Sequence, residues 1–277
     1  MTAELSAALR FPEPDRLSEG APKAWRNQTL VLTGRQLLVA SRDVPTLVQV
    51  LVFPALTMLM FKVVLGDIVG GATGQDSAFG TVPLVVLVSA MSGSVVAATR
   101  LNMERRTGLL SRLWVLPVNR SADFSSRICG ELARILVTTV LILAAGHLIG
   151  FRFTQGIGPA IGLVAIALAY GAAFAMVTLA CAVNASPGAP LVQYLGLGTT
   201  LMMFFNSGFS PVEAYPGWLQ PIVANQPMTP AIEAMRALAA GGPVAGDLTK
   251  VLIWTGVLVV AGFYPALHGY RKAAAGR

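Results

Sequence analysis

The residues able to do chemistry in this chain are few and poorly placed for it. There are two histidines, His147 and His268, and two cysteines, Cys129 and Cys181. An activated serine needs a base within hydrogen-bond reach. The nearest serine motif, Ala90-Met91-Ser92-Gly93, lies in an apolar stretch with no histidine at compatible depth. His147 stands near the outer end of one such stretch and His268 just past the inner end of another, about a bilayer apart. No His, Cys, Asp and Glu group has metal-ligand spacing, and no G-x-x-x-x-G-K-S/T phosphate loop occurs. The chain is therefore expected to catalyse nothing by itself and to bind no metal or cofactor of its own.

Ionisable residues at membrane depth are functional candidates by default, and three stand out. Lys62 is close enough to the outer interface to snorkel. Glu131 and Arg134, spaced i to i+3 at the inner end of an apolar stretch, can pair on one helix face. That pair reads as structural before it reads as a proton relay.

The elements that hold these residues follow from composition. Charged residues make up 12% of 277 and hydrophobic residues 55%, with a mean hydropathy of +0.67. Such a chain cannot cover a water-exposed surface with polar groups, so it is read as an all-α membrane protein. About 20 apolar residues cross a bilayer, which predicts six spans at 45–65, 81–98, 130–149, 159–183, 191–209 and 251–267. Of 20 Lys and Arg, 16 fall in the first 44 residues, in 100–134 and after Leu267. With six spans these regions share one side, which places both termini in the cytoplasm of a multi-pass plasma-membrane protein. The net charge of +7 sits in short flanking segments, which topology and anionic lipid headgroups explain without a nucleic-acid partner. Cys129 and Cys181 map to cytoplasmic span ends, where thiols stay reduced.

Residues 1–22 carry acidic groups among prolines and are expected to form a mobile cytoplasmic tail. Over 23–44, Leu30, Leu37 and Leu38 share a helical face while Arg26, Arg35 and Arg42 lie toward its polar edge. This pattern predicts an interfacial amphipathic helix leading into the six-helix domain of 45–277. The long outer region 210–250 is too rich in proline for one helix. Gly217–Ala224 and Pro230–Ala240 can each form a short one, re-entering toward the membrane.

Between the second and third spans, Leu109, Leu110, Leu113 and Trp114 fall on one side of a helix drawn from Arg105 to Pro117, with Arg105 and Arg112 opposite. The pattern fits a helix pushed by a soluble partner and fits equally a helix resting on lipid headgroups. The residues Glu104-Arg105, Gly108-Leu109-Leu110, Arg112-Leu113 and Pro117-Val118-x-Arg120 resemble the hallmark of daunorubicin-resistance-type ABC-exporter permeases. So do Ser207-Gly208 through Pro211, Pro216-Gly217-Trp218-Leu219, Pro227 and Arg236, which in that family mark outer re-entrant helices after the fifth span. The resemblance covers the chain from about Trp25 and departs at Leu116, where many relatives have a small hydroxyl residue.

The resemblance implies a permease coupled through Glu104, Arg105, Gly108, Leu109, Arg112, Leu113, Trp114 and Pro117 to two copies of a separate ATP-binding subunit. ATP and its magnesium would be held there. It further implies a second permease, a homologous chain in preference to an identical copy, and an apolar drug, lipid or glycolipid as cargo. Relatives export anthracyclines and large apolar lipids such as phthiocerol dimycocerosates. By the same likeness the second and fifth spans would present Met91, Ser92, Met202, Met203, Phe204, Phe205 and Asn206 to the substrate, and thioethers and aromatic rings suit an apolar ligand. The competing reading is a membrane scaffold that docks a cytoplasmic partner without transport.

Overall fold

A computed structural model describes residues 22–44, 48, 52–73, 76–108, 120–186 and 190–274, and all regular structure among them is helical. The helices are α1 (Pro22–Arg42), α2 (Phe53–Thr73), α3 (Ala78–Arg106), α4 (Arg120–Leu148), α5 (Ile157–Asn184), α6 (Leu191–Phe204), α7 (Gln220–Asn225), α8 (Met228–Ala240) and α9 (Ala245–Ala274). A 3-10 turn at Val212–Ala214 precedes α7. The tail expected over residues 1–22 falls outside the described residues, except that Pro22 opens α1, where its missing N–H costs nothing.

Four of these helices are long and apolar enough to cross a membrane: α3, Ser121–Leu148 of α4, α5, and Ala245–Ala266 of α9. The two remaining expected spans correspond to shorter apolar helices, Phe53–Val64 within α2 and Tyr194–Phe204 within α6. The span expected at 191–209 stops early for a local reason. Asn206 donates from Nδ2 to the Met202 and Met203 carbonyls at 3.0 and 2.5 Å, and its Oδ1 accepts the Gly208 N–H at 2.7 Å. The side chain thus satisfies the last turn of α6 and turns the chain away from it.

α3 is the axis of the bundle, and its apolar residues are almost wholly buried. It packs on α5, which in turn lies along α9. The α5–α9 contact is close because two glycines on α9 bring the backbones together. A Cβ on Gly262 would stand 2.7 Å from the Met176 and Val177 backbone, and one on Gly269 would stand 2.7 Å from the Asn184 amide. Small residues at helix contacts are the usual basis of packing where lipid removes the hydrophobic drive between helices. Asn184 adds a hydrogen bond to the Pro265 carbonyl at 2.8 Å.

The proline-rich region forms α7 and α8, close to the two short helices expected there. α8 is a core element: Met228, Ile232 and Met235 are fully buried against α3, α5 and α9. On the opposite flank, α1 lies on α4 through polar contacts, Thr33 Oγ1 to the Ser126 carbonyl and Gln36 Nε2 to Ser126 Oγ. Its leucines 30, 37 and 38 face outward.

Candidate functional site

The Arg106 end of α3 is fastened to both neighbouring helices by adjacent residues. Glu104 pairs with Arg127 of α4 at 2.8 Å, and Arg127 also pairs with Asp123 one turn earlier at 3.1 Å. Arg105 points the other way and donates to the Ala182 and Ala185 carbonyls, both at 2.6 Å. Ala182 lies in the last turn of α5 and Ala185 follows it directly, at a helix end where orphan carbonyls and the helix dipole both favour a cation. One acid–base dipeptide therefore locks α3 to α4 and to α5.

Immediately beyond, the helix breaks. Thr107 caps α3, and Gly108 takes φ +70°, a left-handed conformation that suits glycine and ends helices. The continuous helix expected from Arg105 to Pro117 is thus corrected: Arg105 belongs to α3, and a turn at Gly108 ends that helix. Leu109, Arg112, Leu113, Trp114 and Pro117 lie outside the described residues.

Glu131 and Arg134 pair at 2.7 Å, but not at the end of a span. α4 begins ten residues before the expected start of its span, so the pair sits level with the middle of α3. Arg134 Nη2 donates to the Ala90 carbonyl at 2.9 Å and Nη1 to that of Ser89 at 3.3 Å, while Ser94 donates to Glu131. Gly93 makes the room, since a Cβ there would stand 2.1 Å from the guanidinium carbon. Sequence reasoning missed Gly93, Asp123 and Arg127. The i to i+4 spacing of Asp123 and Arg127 was the available signal.

The residues expected along a substrate path divide into two groups. Ser92 is exposed and Met203 half-buried, and both line an apolar cleft of about 120 Å³ between α2, α3 and α6, with Phe53, Phe61 and Val88 in its walls. Ser89 also faces it, with a buried hydroxyl that has no hydrogen-bond partner among the described residues. Phe61 and Phe209 meet edge to face at 4.6 Å near this cleft. Phe204 and Phe205 are exposed on the flank of α6, and Met202 packs against the core. Met91 and Asn206 do not face open space. Met91 is buried beneath the Tyr170 hydroxyl, which donates to its Sδ at 3.7 Å, and Asn206 is spent on capping α6.

In the region between α6 and α9, Pro216 starts the turn into α7, Trp218 is exposed, and Pro227 is the residue preceding α8. Arg236 pairs with Glu233 at 2.9 Å and donates to the Ser207 carbonyl at 2.9 Å, tying α8 to the turn after α6. Gly80 and Gly208 permit this approach: a Cβ on Gly80 would stand 2.5 Å from the Gly208 oxygen. Lys62 pairs with Asp76 at 2.6 Å rather than reaching out alone. Burial by itself would raise the Asp76 carboxyl. The Lys62 hydrogen bond, the Ala78 N–H and the Lys62 charge outweigh that and hold it below its ordinary value.

A family model described as ABC-2 type transporter matches residues 27–239. The chain belongs to this family. It is 39% identical over 264 residues to the probable doxorubicin resistance ABC transporter permease protein DrrC of Mycobacterium tuberculosis, covering 94% of this chain and 95% of that one. It is 25% identical over 256 residues to the daunorubicin resistance ABC transporter permease protein DrrB1 of Streptomyces coeruleorubidus, covering 92% and 87%. It is also 28% identical over 194 residues to the doxorubicin resistance ABC transporter permease protein DrrB of Mycobacterium tuberculosis, covering 69% and 65%. As an ABC-2 permease it is a multi-pass membrane subunit of an ABC exporter that works with an ATP-binding subunit and is not itself catalytic.

Proposed function

We propose that this ABC-2 permease exports apolar drugs or lipids from the cytoplasmic membrane, driven by two ATP-binding subunits that hold ATP and magnesium. α2 and α6, with the residues flanking them, complete six spans, and both termini lie in the cytoplasm. α1 lies in the interface, and α7 with α8 re-enters from outside. The observation that carries the reading is the fastening of α3 by Glu104 and Arg105. A push on the segment after Gly108 reaches α4 and α5 as one body and changes the distance between that body and the loosely packed α2 and α6. The apolar cleft between them is the substrate path, with Ser92 and Met203 on it. The second permease is a homologous chain, a choice supported by similarity to both DrrC and DrrB of one organism.

The test is copurification with the ATP-binding subunit, followed by ATP hydrolysis in the presence of an anthracycline and of an apolar glycolipid. Association with stimulated hydrolysis is expected. A complex that forms but responds to neither ligand points to the scaffold reading. Cysteine labelling of intact cells checks the topology, with positions 76 and 217 reacting and 112 protected.

A further inference from the structure

The apolar cleft between α2, α3 and α6 carries a polar atom that its surroundings leave unused. Ser89 is only 6% exposed, and its hydroxyl has no hydrogen-bond partner among the described residues. Neighbouring hydroxyls behave differently. Thr81, Ser94 and Thr99 of α3 each donate to the carbonyl four residues back, at 2.9 Å, and Thr57, on the α2 wall of the cleft, does the same to Phe53 at 2.8 Å. Ser89 makes no such bond, although a helical serine ordinarily can. Its backbone carbonyl is engaged, accepting from Arg134 Nη1 of α4 at 3.3 Å. Ser89 is thus held in the fixed part of the bundle and lines the cleft with an uncommitted hydroxyl.

A buried hydroxyl left without a partner is costly, and the Ser89 oxygen is closed to water. A ligand that parts the walls formed by Phe61 of α2 and Met203 of α6 reaches it. The rest of the lining restricts that ligand. Among the described residues no charged side chain lines the cleft, so the group that enters is neutral, because a charge would be desolvated there without a partner. The volume of about 120 Å³ admits one ring or a short chain segment, since a cavity of about 150 Å³ takes up benzene. The Ser89 hydrogen lacks an acceptor, and a carbonyl oxygen supplies one without bringing a hydrogen that would itself need a partner.

We propose that Ser89 is a specificity residue of this exporter, donating its hydroxyl hydrogen to the carbonyl oxygen of an ester or ketone on an uncharged, ring-sized part of the cargo. The inference rests on the cleft being the substrate path. With Ser89 on the fixed side and Met203 on the movable one, the hydrogen bond selects the ligand and the apolar wall closes on it.

The experiment is photolabelling of the full-length chain in nanodiscs with benzophenone, read at the peptide carrying Met203. Two competitors, methyl benzoate and propylbenzene, are compared at equal concentration in the bilayer; they share a ring and a chain length and differ in the ester. Methyl benzoate should suppress labelling at about fivefold lower concentration, the ratio that one neutral hydrogen bond supplies. Ser89→Ala should abolish that ratio with the melting temperature unchanged, and Ser89→Thr should keep it. Equal competition in the wild type, a ratio that survives Ser89→Ala, or no labelling at Met203 would each overturn the assignment. ATP hydrolysis by the complex with its ATP-binding subunit, measured with the same two compounds, tests the path separately. A ratio at Met203 without stimulated hydrolysis would keep the carbonyl contact and overturn the cleft as the substrate path.

Discussion

The two flanks of α3 are built on opposite principles. Toward α4 and α5 it is held by partly buried ion pairs and by guanidinium groups on backbone carbonyls, at its middle through Arg134 and at its end through Glu104 and Arg105. Toward α2 and α6 it meets apolar side chains across a cleft, and both of those helices expose most of their large residues. In a low-dielectric surrounding the first kind of contact has few alternatives once broken, because an unpaired charge or carbonyl is costly. The second is exchangeable, since one apolar neighbour replaces another at little cost. The difference separates a fixed frame from a wall that can move, which is what a permease needs if one side of its path is to open.

The sharpest way to break this comparison is to remove one member of the mid-height pair. Arg134→Leu leaves Glu131 buried without its partner, and such a loss costs about 3–5 kcal/mol. The expected result is loss of folded protein from the membrane. Adding Glu131→Leu removes the stranded charge, and replacing a buried pair by apolar residues is often neutral, so the double variant should recover yield and thermal stability in detergent. If the single variant is as stable as the wild type, the pair is not part of the frame.

Next in size are changes at the end of α3. Arg105→Ala deprives two carbonyls of a charged donor, an interaction of about 1.5–3 kcal/mol. It should lower the melting temperature and, more sharply, export per unit of ATP hydrolysed. Gly108→Val forces a β-branched residue into the left-handed region, at about 1–2 kcal/mol. It should leave the frame intact while misdirecting the chain beyond residue 108. Export falling far more than the melting temperature in Gly108→Val, against both falling together in Arg105→Ala, separates steering from fastening.

How much of this architecture is legible in the sequence depends on the kind of signal. Long apolar stretches mark the helices, and breakers mark the short ones in the proline-rich region, because periodicity and breakers are local. The Glu131–Arg134 pair is legible as a pair from its spacing, but its depth is not, since that depends on how far α4 extends into its charged prefix. The helix drawn from Arg105 to Pro117 fails at Gly108, whose positive φ leaves no trace in apolar periodicity. The path residues split for a related reason. Met91 and Ser92 are adjacent in sequence yet face different neighbours around α3, and only the position of Tyr170 on α5 decides which side is closed.

That split supplies a finer test of the movable wall. Met203→Asp places a carboxylate in the cleft, where it should abolish export while the complex is still recovered. Met91→Asp places the same charge beneath Tyr170 in the frame, where it costs several kcal/mol, so the complex itself should be lost. The comparison fails if both variants lose assembly to the same extent, because the two sides of α3 would then be equally intolerant of charge. Recovery of intact complex by size exclusion, alongside export, distinguishes the cases.

The smallest effect is expected where the movable helix α2 is tied to the start of α3, at Lys62 and Asp76. Both side chains are partly exposed, 30% and 41%, and solvent screening keeps such a pair at or below about 1 kcal/mol. The Asp76 carboxyl is held below its ordinary value of 3.8 in the folded chain. In the window between the folded and unfolded values the unfolded chain binds more protons, so stability rises with pH there. The contribution is complete above that window and is lost as pH falls through it. Asp76→Asn should therefore lower the melting temperature slightly at neutral pH, and its difference from the wild type should shrink as pH falls below 3.8. A difference that stays constant with pH would show that the effect does not come from the charge of the Asp76 carboxylate. A large difference would mean that α2 is fastened as firmly as α4, and the division between fixed frame and movable wall would fail.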